Sequence, residues 1–179
     1  MKLHLTVCSI CLISLFQCQS PKENSLQNLV EVGKGYSSTS VNTTVFRNNS
    51  VATFGDTQFI AYYNGDEYLV LGKRKLGEKE WEIKRSPYHG KCRDAHNIIR
   101  FMIDGEGILH VSFEHHDNKL NYCRSVAPLA LELGEKIPMT GIDEEKVTYP
   151  EFYLLGNGDL LLAYRSGASG RGNLVMNRY

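Results

Sequence analysis

Two stretches of this chain hold residue types that move protons. The first runs from Asp94-Ala-His-Asn97 to Glu114-His-His-Asp117, and the second from Thr148-Tyr-Pro150 to Tyr164-Arg-Ser-Gly167. Imidazoles and phenols serve as general acids and bases when neighbours position them, and a guanidinium is a permanent positive charge. Each stretch reads as polar residue, apolar strand, Gly/Asp-rich turn, second apolar strand, polar residue. An antiparallel hairpin lays the start of its first strand beside the end of its second. His96 is therefore expected near His115 and His116, and Tyr149 near Arg165. If the two hairpins are neighbours, these groups converge on one rim as an acid–base site with a fixed positive charge.

The strands that must position them recur along the chain. Ala61-Tyr-Tyr63 lines up with Val111-Ser-Phe113 and Ala163-Tyr-Arg165, at steps of 50 and 52. Leu69 to Arg74 lines up with Leu120 to Ser125 and Leu174 to Tyr179, at steps of 51 and 54. A period of about 50 residues with four strands per unit is the pattern of a β-propeller blade. No convincing amphipathic helix interrupts it. Leu129 to Lys136, between Pro128 and Pro138, reads as loop or outer strand. The expected fold is all-β: about three four-stranded blades, over 46–179, of an expected seven. Three blades cannot close a ring, so the chain reads as the N-terminal part of a longer protein or a truncated product.

Charge is balanced, with 20 basic and 20 acidic residues among 179, and no basic stripe argues for nucleic acid. Met1-Lys2 followed by an apolar run to Phe16 matches a secretory signal, so residues 1–18 are set apart from the fold. Leu15-Phe-Gln-Cys18 resembles a lipobox, which leaves lipidation of Cys18 and plain cleavage nearby as two alternatives. The expected location is therefore exported: periplasmic, outer-membrane lipoprotein or secreted, touching a membrane only through that anchor. Residues 19–45 read as a polar tether and the start of the domain. Beyond the leader only Cys92 and Cys123 remain. They could form one disulfide, join His89 in a metal site, or stay buried and unpaired.

Taken together, Asp94-Ala-His-Asn97, Asp104 to Val111, His116, Leu120-Asn-Tyr122, Val147 to Phe152, Tyr164 to Asn173 and Asn177-Arg-Tyr179 resemble the BNR-repeat-containing propellers. That group includes lyases acting on ulvan, the sulfated uronate–rhamnose polymer of green algae. The resemblance covers roughly residues 45–179. The Ser/Asp box of sialidase repeats is missing, which weighs against a sialidase. In the ulvan lyases of the group the catalytic set is two His, one Tyr and one Arg. His96 and His116 match the pair, and Tyr149 and Arg165 match the other two.

The resemblance implies an exported polysaccharide lyase that cuts an anionic, uronic-acid-containing polysaccharide by β-elimination. Such an enzyme removes the C5 proton and expels the 4-linked oxygen. Arg165 would neutralise the uronate carboxylate. His116 is assigned as base and Tyr149 as acid, an assignment that the residues allow to be exchanged, with His96 orienting or stabilising. The scheme requires no cofactor, although a structural metal ion could be held. Asn97, His115, Ser166 and Asn173 are expected to contact substrate. Pro150 is expected to keep Tyr149 extended. Glu114 is the expected orienter of His116, and His110 a satisfied core histidine. Two other readings compete: a glycan-binding propeller without turnover, and a glycoside hydrolase, for which no carboxylate pair is recognisable.

Overall fold

The computed structural model describes residues 29–43 and 50–179. The signal segment 1–18, Cys18 and most of the tether read into 19–45 lie outside these residues. Val41 is buried in the first core, and the Asn42 carboxamide bonds both ways with the backbone of Tyr63.

Eleven strands form three antiparallel sheets among the described residues, and no helix occurs there. The first sheet is a full four-stranded meander: β1 (Val51–Phe54), β2 (Thr57–Tyr63), β3 (Tyr68–Lys75) and β4 (Glu82–His89). Along β2 every second residue is buried, as a strand packed on one face requires. The second sheet is β5 (Arg100–Ile103), β6 (Leu109–Ser112) and β8 (Tyr122–Arg124), and a single bridge from Ser125 to Leu133 stands where its outer strand would be. The third is β9 (Val147–Leu154), β10 (Leu160–Ala168) and β11 (Arg171–Arg178), with β7 (His116–Asn118) added beside β9. The repeat read from the sequence is the one observed: β2, β6 and β10 correspond, as do β3, β8 and β11.

β7 breaks the one-sheet-per-repeat rule. It comes from the loop between β6 and β8, yet it pairs with β9 of the next sheet, His116 opposite Thr148. That crossing brings the two sequence stretches together.

Two apolar cores hold the stack. One joins Phe59, Tyr63, Leu69 and Leu71 of the first sheet to Phe101, Leu109, Val111 and Phe113 of the second. The other joins Tyr122 to Phe152, Leu160, Leu162 and Tyr164. Between the second and third sheets the turns meet backbone to backbone, Gly105 N donating to Gly158 O at 2.8 Å. Packing is equally tight at Gly90, where an added Cβ would run into the ring of the fully buried Tyr63. Gly90→Ala is therefore expected to destabilise the fold by about 1–3 kcal/mol through overpacking. A thermal melt indistinguishable from the parent would contradict this.

Candidate active site

His96 and His116 lie four residues outside the paired ends of β5 and β6, where Arg100 faces Ser112. Their rings stack with centroids 4.6 Å apart. Asp94 holds both. Its Oδ1 lies 2.6 Å from His96 Nδ1 and its Oδ2 lies 2.5 Å from His116 Nδ1. Burial alone would raise the Asp94 carboxyl, but the His96 N–H and the imidazoles of His116 and His96 outweigh it and hold the group down at about 2. With Nδ1 engaged on Asp94, the nitrogen His116 offers outward is Nε2. A carboxylate on Nδ1 selects that tautomer and orientation in acid–base sites generally.

Tyr149 lies 6.1 Å from His96, centroid to centroid, and the Arg165 guanidinium stands 5.1 Å from the Tyr149 ring centre. The sheet explains this grouping. Thr148 on β9 faces His116 on one side and Arg165 on the other, so one row of the sheet carries an imidazole and a guanidinium on its flanks. Thr148 Oγ1 also accepts the Asp117 N–H at 2.8 Å, pinning β7 in place.

Tyr149 is not extended. Its φ is +54°, in the left-handed region that bulky residues avoid. The expectation drawn from Pro150 fails because β9 bulges here. Ala163 pairs with Glu151 and Arg165 with Thr148, so two residues of β9 oppose one of β10. A bulge re-aims a side chain, and here it turns the phenol towards the imidazoles. Arg100 secures it from the second sheet. This buried guanidinium donates from Nε to Pro150 O at 3.0 Å and faces Glu151 at 3.5 Å. Glu67, Glu114 and Asp117 have positive φ as well. Four such residues lie in or beside one cleft, and strain concentrated in this way is typical of functional sites.

The cleft beside Asp94 and His116 has a volume of about 470 Å³ and is also lined by Lys91, Arg93, Asn97, Glu114 and Glu67. Asn97 is buried; its Nδ2 donates to Lys91 O, while its Oδ1 has no hydrogen-bond partner.

A model of the BNR repeat-containing family matches residues 57–179. The chain belongs to the BNR repeat-containing family. Solved structures with the same fold include the polysaccharide lyase Uly1, at TM-score 0.66 and 18% identity over 84% of this chain and 40% of that one. A PL25 ulvan lyase matches at TM-score 0.58 and 17% identity, over 75% and 35% of the two chains. A PL25 ulvan lyase structure bound to -[GlcA(1-4)Rha3S]- matches at 0.59 and 16%, over the same shares. The chain thus spans about two fifths or less of the length of these lyases. A search among curated proteins finds no significant match.

In this BNR-repeat chain the structure also separates residues that the sequence placed together. His115 is not a substrate contact. It is 1% exposed, its Nε2 accepts the Asn121 N–H at 3.1 Å, and burial pushes its pKa down to about 4. His116 is exposed where His115 is buried, so the two adjacent histidines face opposite ways. Glu114 itself pairs with Lys91 at 3.1 Å, so Asp94 is the orienter instead. Ser166 and Asn173 face one another across β10 and β11, one position along from the Arg165–Leu174 pair.

Nor do His89, Cys92 and Cys123 form a metal site. His89 is exposed against Tyr68, whereas both cysteines are free thiols in the first core, pushed up to about 12 chiefly by burial. His110 is the satisfied core histidine expected, held between Tyr122 Oη and Asp104 Oδ2.

The sequence reading missed Asp94, Arg100 and Gly172. Asp94 carried a local signal, an acidic residue two positions before His96. The role of Gly172 is set by packing. An added Cβ there would lie 2.8 Å from Arg165 Cγ, so the space is taken by the Arg165 stem.

Proposed function

We propose that this chain carries the reaction centre of a polysaccharide lyase that cleaves an anionic, uronic-acid-containing polysaccharide of the ulvan type by β-elimination. The observation that supports it most is the contact set itself: two imidazoles on one carboxylate, a phenol and a guanidinium, drawn from four segments into one cluster. The family and the lyase-like fold agree with it, and a neighbour bound to a glucuronate–rhamnose sulfate suggests the substrate class.

Arg165 binds the uronate carboxylate and stabilises the enolate-like charge that develops as C5 loses its proton. His116, held by Asp94, takes that proton through Nε2. Tyr149 protonates the departing 4-linked oxygen, with the Arg165 guanidinium over its ring. His96 braces His116 by stacking and completes the hold on Asp94. Elimination needs no water nucleophile, which separates this chemistry from hydrolysis.

The test is ultraviolet absorbance during incubation with ulvan and a panel of other uronate polymers, since only elimination leaves a double bond. A rise with one polymer, falling about 10²–10⁴-fold in His116→Ala, is expected. Retained binding with no rise on any polymer would make this a glycan-binding propeller and its four residues recognition groups.

A further inference from the structure

We propose that Asp94, His96 and His116 form a binding site for one late first-row divalent cation, for which Zn²⁺ is the probe, and that the bound ion shuts down the neighbouring proton transfer. The shutdown half rests on the lyase reading above; the binding half does not. The donor set is two imidazole nitrogens and one carboxylate oxygen, all within 4.8 Å of one another. Two His and one carboxylate suit Zn²⁺ and its neighbours, and leave a fourth position open. Ligand atoms of a tetrahedral zinc stand about 3.4 Å apart, so the donors need close by little more than 1 Å.

The site is held ready. The His96 N–H donates to Asp94 Oδ1 at 2.9 Å, the His116 N–H donates to Asn118 Oδ1 at 2.7 Å, and the Thr148 contact pins the segment between. The three side chains remain 37–45% exposed, which gives an ion a path in and out. Glu67 on the same cleft adds a further carboxylate, whereas Glu114 is paired with Lys91. An ion on the two Nδ1 atoms would lock both rings and replace the Asp94 contact that orients His116.

The experiment is calorimetric titration of Zn²⁺ into EDTA-stripped protein, comparing the parent with Asp94→Asn, His116→Gln and Glu106→Gln, a surface carboxylate outside the cluster. His4, Cys8 and Cys11 can take up zinc themselves, so the reading is the difference between proteins. The parent and Glu106→Gln are expected to show one binding event that weakens about 10-fold or more in each cluster variant, with thermal melts identifying the variants that fold. Equal uptake by the parent and whichever cluster variant folds would overturn the site. Formation of unsaturated product is expected to fall in step with occupancy and recover on adding EDTA. Undiminished elimination by zinc-loaded protein would overturn the shutdown half. Absence of unsaturated product from the metal-free protein would instead sink the lyase reading, and the titration would still decide the site.

Discussion

Arg165→Ala is expected to lower the rate of elimination by about 10²–10³-fold, with kcat carrying most of the loss. Arg165 has no ion-pair partner among the described residues. Its Nε donates to Gly167 O at 3.1 Å, and its guanidinium lies over Tyr149. The side chain is nevertheless firmly placed: the missing Cβ of Gly172 makes room for its stem, and Gly167, at φ +111°, turns its carbonyl back to accept. A cation held in this way at the end of an apolar strand is preorganised for a charge that arrives from outside. If its task is the developing enolate, the loss appears in kcat. If it only gathers uronate chains, KM rises and kcat stands, and the role given to it here is wrong. Arg165→Lys is expected to recover only part of the activity, because the ammonium lacks the planar fork that pairs with a carboxylate. Gly172→Ala, which crowds the stem without touching its charge, is expected to fall between the two. The measurement is initial rate of unsaturated product against substrate concentration, with melting curves showing that each variant is folded.

Tyr149→Phe is expected to cost about 10²–10⁴-fold while leaving the fold unchanged. The phenyl ring keeps its places beside His96 and beneath Arg165, and the bulge is set by backbone pairing and by Arg100, so only the proton is removed. Activity close to that of the parent would remove Tyr149 from the chemistry and return the acid role to a histidine or to solvent. A companion measurement isolates the strain. Tyr149→Ala and Tyr149→Gly both lose the ring, but only glycine is at ease at φ +54°. The glycine variant is expected to be the more stable by about 1–2 kcal/mol. Equal melting temperatures would mean that the left-handed turn stores no appreciable energy.

These effects divide according to what short stretches of chain encode. Alternating apolar residues around Gly/Asp turns set the hairpins, and their recurrence about every 50 residues set the blades, because strand patterning and turn chemistry act over a few neighbouring residues. The same local logic placed His96 opposite His116 and Tyr149 beside Arg165, since a hairpin fixes which ends meet. It failed where a backbone leaves its pattern. The bulge at Tyr149 and Pro150 overrides the extended geometry that proline favours locally.

Other features depend on contacts between residues far apart in sequence. Asp94 clamps His116 across 22 residues, Arg100 braces Pro150 across 50, and β7 abandons its own sheet for the next. No spacing announces such pairings, because they arise only when two sheets pack and buried donors must find acceptors. The residue types determined what chemistry was available and which hairpins would carry it. Packing between the blades decided that one carboxylate would hold both imidazoles, and that the phenol and guanidinium would face them.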